Sequence, residues 1–359
     1  MCEDIVESMK REVAHEKDKQ ELLSTGSTLL NLALSNNPRG GLQKGKLVNI
    51  IGDSGVGKTL ISLSILAEAC RDENYKDFDL VLRDCEARNN FPVEKLFGSK
   101  LAEKLNETSV DDDGEYIKYE YVEEYFSELS QIAQKGSAIH ILDSLDALGD
   151  KASADAWEDS TKAISEGKDA KGSYGMTKQK YLSNALQQSC RLIDKSDIVA
   201  IIISQTRDKI DASFIKTQTR SGGRALKFYC NHEIWVARAK TLYKTVNGKK
   251  RKIGMEVKFK VEKNSLTGLQ SEIIVPVYYS YGIDDVGSCI DYLCSEGYWK
   301  GGGGKVLAPE FFEERVTRDK LIQTIDNDDE LYEKLVDLTG VVWNDILTKC
   351  VVKRKKKYE

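Results

Sequence analysis

The sequence predicts an α/β protein: a mostly parallel, twisted sheet flanked by helices, with a short N-terminal helical arm and a small C-terminal helical unit. Three observations carry this expectation. Apolar runs of strand length recur at residues 47–51, 80–82, 138–142 and 198–204, the pattern of strands buried on both faces. Stretches with helical spacing lie between them, at 59–70, 119–134 and 179–193, so strand and helix alternate as in a doubly wound sheet with right-handed crossovers. The first run ends in Gly52-Asp53-Ser54-Gly55-Val56-Gly57-Lys58-Thr59, a glycine-rich turn set between a strand and a helix.

The remaining elements follow in chain order. Residues 1–22 place Ile5, Met9 and Val13 at four-residue spacing among charges, which reads as an amphipathic arm that docks on its own core or on a neighbouring subunit. Residues 23–300 form the main domain. Past Phe228 the sheet continues antiparallel, with strands at 233–246 and 252–261 joined by an Asn247-Gly248 turn. Gly301 to Gly304 reads as a flexible break. Residues 301–359 then form a small helical unit, with helical spacing over 309–350 and a basic tail, Lys353-Arg354-Lys355-Lys356-Lys357.

Composition narrows the function classes. The 359 residues carry 53 Lys and Arg against 58 Asp and Glu, a formal charge of −5, so any nucleic-acid contact must be local rather than a property of the whole chain. There is no apolar run of membrane-spanning length and no secretory leader pattern, and a cytoplasmic protein is expected. Eight scattered cysteines without a Cys-x-x-Cys pair read as reduced thiols rather than zinc ligands or disulfides. His15, His140 and His232 are too far apart in sequence for a local metal motif, and His140, inside a strand, reads as a hydrogen-bonded core residue.

The glycine-rich turn is a phosphate-binding loop. Its backbone N–H groups turn inward and the following helix N-terminus favours anions, so Gly52, Asp53, Ser54, Gly55, Val56, Gly57, Lys58 and Thr59 are expected to cradle ATP. Lys58 should reach the β and γ phosphates and the Thr59 hydroxyl a Mg²⁺ ion. Asp143, at the end of Ile139-His140-Ile141-Leu142, supplies the metal-side carboxylate, whereas Asp146 lies beyond the strand and reads as a solvated or capping residue. Glu86, after the strand at 80–82, is the candidate base for water.

These residues resemble the RecA family of DNA strand-exchange proteins, phage UvsX-type recombinases included. Asp84-Cys85-Glu86 is similar to the family's catalytic strand, and Leu142-Asp143-Ser144 with Ala147-Leu148 to its Mg²⁺ strand. The most specific stretch is Ser204-Gln205-Thr206-Arg207 followed by Gly222-Gly223-Arg224-Ala225-Leu226-Lys227-Phe228-Tyr229. The resemblance implies that Gln205 senses the γ-phosphate and signals to an adjacent DNA-binding loop at 207–223. That loop gathers Arg207, Lys209, Lys216 and Arg220 around Ile210 and Phe214 and ends at Gly222 and Gly223. The mixture suits phosphates and insertion between bases. An ordinary solvated loop has a similar composition, and the position after Gln205 is what favours DNA.

A first DNA loop is expected within 152–176, with Met176 as its inserted apolar residue. Lys263 in Lys263-Asn264-Ser265 resembles the lysine that a neighbouring subunit lends to the γ-phosphate, although Ser265 stands where bacterial RecA has a second lysine. The family's adenine-stacking Tyr is not evident in Arg88-Asn89-Asn90-Phe91-Pro92, and the basic tail replaces a commonly acidic one. The resemblance therefore implies an ATP- and Mg²⁺-dependent recombinase that forms helical filaments on single-stranded DNA, pairs it with double-stranded DNA and shares its ATP sites between subunits. Two other readings share the phosphate loop: a hexameric replicative helicase, and a recombination mediator without strand exchange.

Overall fold

In a computed structural model of the chain, the described residues are 21–86, 92–166, 177–210 and 216–355, with the main chain alone at 208–210 and 216–219. Strands β1 (Leu22–Leu23) and β2 (Leu42–Gln43) flank helix α1 (Thr28–Ser35). Next come β3 (Lys46–Gly52), α2 (Lys58–Arg71), β4 (Asp79–Asp84), α3 (Val93–Phe97), α4 (Ser99–Ser109), α5 (Val122–Lys135), β5 (Ala138–Asp143), α6 (Lys151–Ser165), α7 (Thr177–Ile193) and β6 (Val199–Ile210). The chain continues through β7 (Lys216–Arg220), α8 (Gly223–Tyr229), β8 (His232–Val246), β9 (Lys249–Asn264), β10 (Ser271–Tyr278), β11 (Gly282–Ile283) and α9 (Asp285–Ser295). It closes with β12 (Lys300–Gly302), β13 (Lys305–Leu307), β14 (Val316–Thr317), α10 (Arg318–Asp326) and α11 (Asp329–Lys349).

The central sheet runs β11-β10-β9-β8-β3-β6-β5-β4. Strands β4, β5, β6, β3 and β8 are mutually parallel, and β9, β10 and β11 continue antiparallel. Strands β3, β4, β5 and the first part of β6 are buried on both faces, which is why they read as apolar runs, whereas β8 is buried only over its first residues. Helices close the two faces: α1 and α2 over one, α5 and α7 over the other. Helix α5 shows the logic. Its Val122, Tyr125, Phe126 and Leu129 are buried at helical spacing, with removal of Val122, Phe126 and Leu129 from water stabilising by about 1.5–3 kcal/mol each, and Glu123 and Glu124 sit in its first turn where the helix dipole favours acids.

The C-terminal unit differs from expectation. Its core joins Val286, Cys289, Ile290 and Leu293 of α9 to Leu321, Ile325, Leu335 and Val342, so it begins before the Gly301 boundary. Gly301 to Gly304 is not a flexible break. Gly302 pairs with Lys305, and Gly303 (φ 62°) and Gly304 (φ 74°) between them take the two positive φ values of a tight hairpin turn, which glycine adopts without steric cost. Helices therefore occupy only part of 309–350. Asp285 ties this unit to the main domain: it accepts from Thr28 N and Oγ1 at 2.7 Å each and from the Tyr332 hydroxyl at 3.0 Å. Burial pushes its carboxyl up to about 6 despite those bonds.

The arm at 1–20 lies outside the described residues. No helix among the described residues is long and apolar enough to cross a membrane. The seven described cysteines are free.

Candidate functional site

The carboxyl ends of β3, β4, β5 and β6 meet at one edge of the sheet, and the loop after β3 crosses it. Gly52 is required there by crowding, since a Cβ on it would stand 2.4 Å from the Val236 carbonyl oxygen on β8. Gly57 enters α2 at φ 99°, in the left-handed region open to glycine. Lys58 is buried and donates to the carbonyls of Gly52 (2.9 Å) and Asp53 (2.7 Å). Burial lowers its pKa, opposed by the carboxylates of Asp143, Glu86, Asp53 and Asp146.

The Thr59 hydroxyl donates to Asp143 Oδ2 at 2.5 Å, bringing the two expected metal-side oxygens together. Asp143 is pushed up to about 6, by burial and by the negative charges of Glu86 and Asp84, against the Thr59 bond and Lys58. A buried, under-neutralised carboxylate beside a hydroxyl is a fitting donor pair for a small hard cation that keeps most of its ligands as water and phosphate oxygen. Glu86 accepts from Ser144 Oγ and from Gln205 Nε2, both at 2.5 Å. Asp53 accepts from Thr206 Oγ1, and Arg238 Nη2 donates to Gly55 O at 3.3 Å. Four expected residues, Thr59, Glu86, Asp143 and Gln205, thus converge around Lys58.

The segment at 207–223 is a β-hairpin arm at both its ends rather than an open loop. Lys209 pairs with Thr217 and Ile210 with Lys216 across β6 and β7, Arg207 is exposed, and Gly222 (φ 81°) caps α8, with Gly223 next in the chain. Phe214 and Met176 lie outside the described residues. The first part of 152–176 belongs to α6.

Two expectations are corrected. Arg220 is not available to phosphate: its side chain is 7 % exposed and 2.7 Å from Glu233, itself 1 % exposed, and an unpaired charge there would be costly. Asp146 is not a solvated residue. It accepts from Gln205 N at 2.6 Å and from Ser221 Oγ, and faces Arg207 Nη2 at 3.2 Å. Those partners lie 59, 61 and 75 positions away, so no local pattern announced them. Lys263 lies opposite Glu233, which is opposite Asn49 on β3. Its Nζ donates to Lys227 O and Phe228 O at 2.8 Å each, a cation at the last carbonyls of a helix. His140 is buried with Nε2 3.0 Å from Glu128, as expected of a core histidine.

Fold and site together define a P-loop nucleotide-binding protein of the doubly wound α/β class. Comparison with known proteins makes the class specific. The profile of the RecA N-terminal domain matches residues 6–284, and the chain belongs to that family. Among relatives, RecA of Thermus thermophilus is 26% identical over 293 residues, covering 80% of this chain and 75% of its own. RecA of Thermus aquaticus is 28% identical over 311 residues, covering 82% and 81%, and RecA of Streptococcus pneumoniae 28% over 318 residues, covering 83% and 74%.

Proposed function

We propose that the chain is an ATP-dependent DNA recombinase, working in the cytoplasm, that assembles as a helical filament on single-stranded DNA and pairs it with a duplex. One observation carries the reading more than any other. Gln205 holds Glu86 at 2.5 Å through its side chain, while its own strand runs on into the β6–β7 hairpin. A change at the γ-phosphate is thereby felt in the element proposed to grip DNA.

ATP is taken on residues 52–59. Lys58 turns from the carbonyls it now caps toward the β and γ phosphates. Thr59 and Asp143 would hold Mg²⁺, which neutralises charge on the phosphate oxygens when bound. Glu86 accepts the proton of a water as its oxygen attacks the γ-phosphorus and the bond to the bridging oxygen of ADP breaks. Lys263 is offered to the site of a neighbouring copy, so binding of ATP stabilises the filament and hydrolysis loosens it. Arg207, Lys209 and Lys216 meet DNA phosphates, with Ile210, Phe214 and Met176 against bases and Gly222 and Gly223 allowing the chain to turn away.

Electron microscopy of the full chain with single-stranded DNA and an ATP analogue is expected to show open helical filaments, dependent on the nucleotide. Lys58→Ala should lower DNA-stimulated turnover by about a hundredfold or more and abolish filaments. Closed rings with homology-independent unwinding would establish the helicase reading instead, and absence of turnover with single-stranded DNA the mediator reading.

A further inference from the structure

Asp146 draws together the two ends of the hairpin and the nucleotide site. The turn that carries it is fixed independently: Leu145 N donates to Ile203 O at 3.0 Å, and Lys178 Nζ donates to Leu145 O at 3.1 Å and to Leu148 O. From this anchored position one carboxylate accepts from the main chain of Gln205 and faces the guanidinium of Arg207 on the incoming strand. It also accepts from Ser221, directly after the outgoing strand. The neck of the hairpin is closed by Thr206 opposite Arg220. Strand β6 is therefore braced on three sides where it leaves the central sheet: through Thr206 on Asp53, through the Gln205 side chain on Glu86, and through the Gln205 main chain on Asp146.

The two jobs of Asp146 are chemically distinct. Accepting the Gln205 N–H needs only an oxygen. Holding Arg207, whose side chain is 61 % exposed against 12 % for Asp146, needs a negative charge, and an arriving phosphate offers a competing one with bidentate geometry. We propose that Asp146 is a positioning residue that couples the nucleotide site to the DNA-gripping hairpin: it sets the main chain at the γ-phosphate sensor and sequesters Arg207 until a DNA phosphate takes it. The inference rests on the recombinase reading above.

The test uses the full chain and an oligo-deoxythymidine strand, with affinity measured against salt, with and without an ATP analogue. Asp146→Asn keeps an oxygen for Gln205 N–H and a partner for Ser221 but removes the charge. It should tighten nucleotide-free binding several-fold and steepen the salt dependence by about 0.7 in log–log slope, the value for one extra cation on a single strand. The ratio of affinities with and without the analogue should shrink. In an Arg207→Gln background the same substitution should gain nothing, because the sequestered group is gone. Asp146→Ala also loses the acceptor and should lower DNA stimulation of turnover while the KM for ATP stays within about twofold. A purely structural role would move thermal stability but not the salt slope. An unchanged slope in Asp146→Asn, or an equal gain without Arg207, overturns the inference while the recombinase reading stands. A parent chain that neither binds the strand nor is stimulated by it overturns both.

Discussion

Strand β5 passes between two buried charge clusters that are built on opposite plans. Near its middle, His140 and Arg83 converge on Glu128. The imidazole Nε2 lies 3.0 Å from it, Arg83 Nε lies 3.1 and 3.0 Å from its two oxygens, and Arg83 Nη1 donates to Thr108 O at 2.9 Å. Burial works against the Glu128 carboxylate, yet the bonds from His140 and Arg83 hold it down at about 2. Burial keeps His140 itself below its usual range, so the imidazole is neutral and Arg83 supplies the charge. At the strand's end, the carboxylates of Asp143, Glu86, Asp146 and the exposed Asp53 act on the buried Lys58, with the exposed Arg207 beside Asp146 as a further cation, and Asp143 is driven up to about 6. The first cluster is electrostatically complete. The second has more acid than base and gains from whatever positive charge a ligand brings, which is how a structural ion pair is told from a functional one when both are buried.

Breaking the complete cluster is expected to have the largest effect on stability. Glu128→Ala leaves Arg83 buried without its counter-charge and should cost about 3–5 kcal/mol in denaturant unfolding, with a matching fall in Tm. A loss below 1 kcal/mol would show that the cluster is solvated and the contrast false. Acidification separates the regions next. A carboxyl raised in the folded state binds its proton more tightly there than when unfolded, so the linked stability is present below the usual carboxylate pKa and is lost as pH rises through about 6. Asp143 and Asp285 both behave this way, each adding about 1 kcal/mol between pH 7 and pH 5 without nucleotide, while the buried imidazoles of His140 and His232, held below their usual range, oppose them over the same window. Asp143→Asn removes its share. Glu128 has the opposite sign and acts only below about 4.5, outside that window. The smallest effect sharpens the comparison most: Mg²⁺ near its dissociation constant should stabilise the chain by a few tenths of a kcal/mol at pH 7.5. That gain should fade at pH 5, where the proton already occupies Asp143, and vanish in Asp143→Asn.

The sequence made the phosphate loop legible because its physics is contiguous: a strand, a turn that only glycines tolerate, a lysine and a helix N-terminus, all within a dozen or so residues. Asp143 and Glu86 were legible by position, as acids at the ends of apolar runs. Asp146 and Arg220 were misread for the same underlying reason. A charge near a strand end looks solvated until the fold brings its partner, and those partners, Gln205, Arg207, Ser221 and Glu233, come from other segments of the chain. The C-terminal unit shows a complementary failure. Four consecutive glycines carry little periodic signal, and the same residues that read as a break supply the positive φ values of a hairpin turn.

Lys263 leaves a consequence for any assay. Its Nζ is bound to the end of α8, so on the recombinase reading, in which it is lent to a neighbour, an isolated copy is short of one positive group that only an adjacent copy supplies. Turnover should then scale more steeply than linearly with protein at high dilution, and a tenfold dilution series becomes a gauge of how readily copies meet.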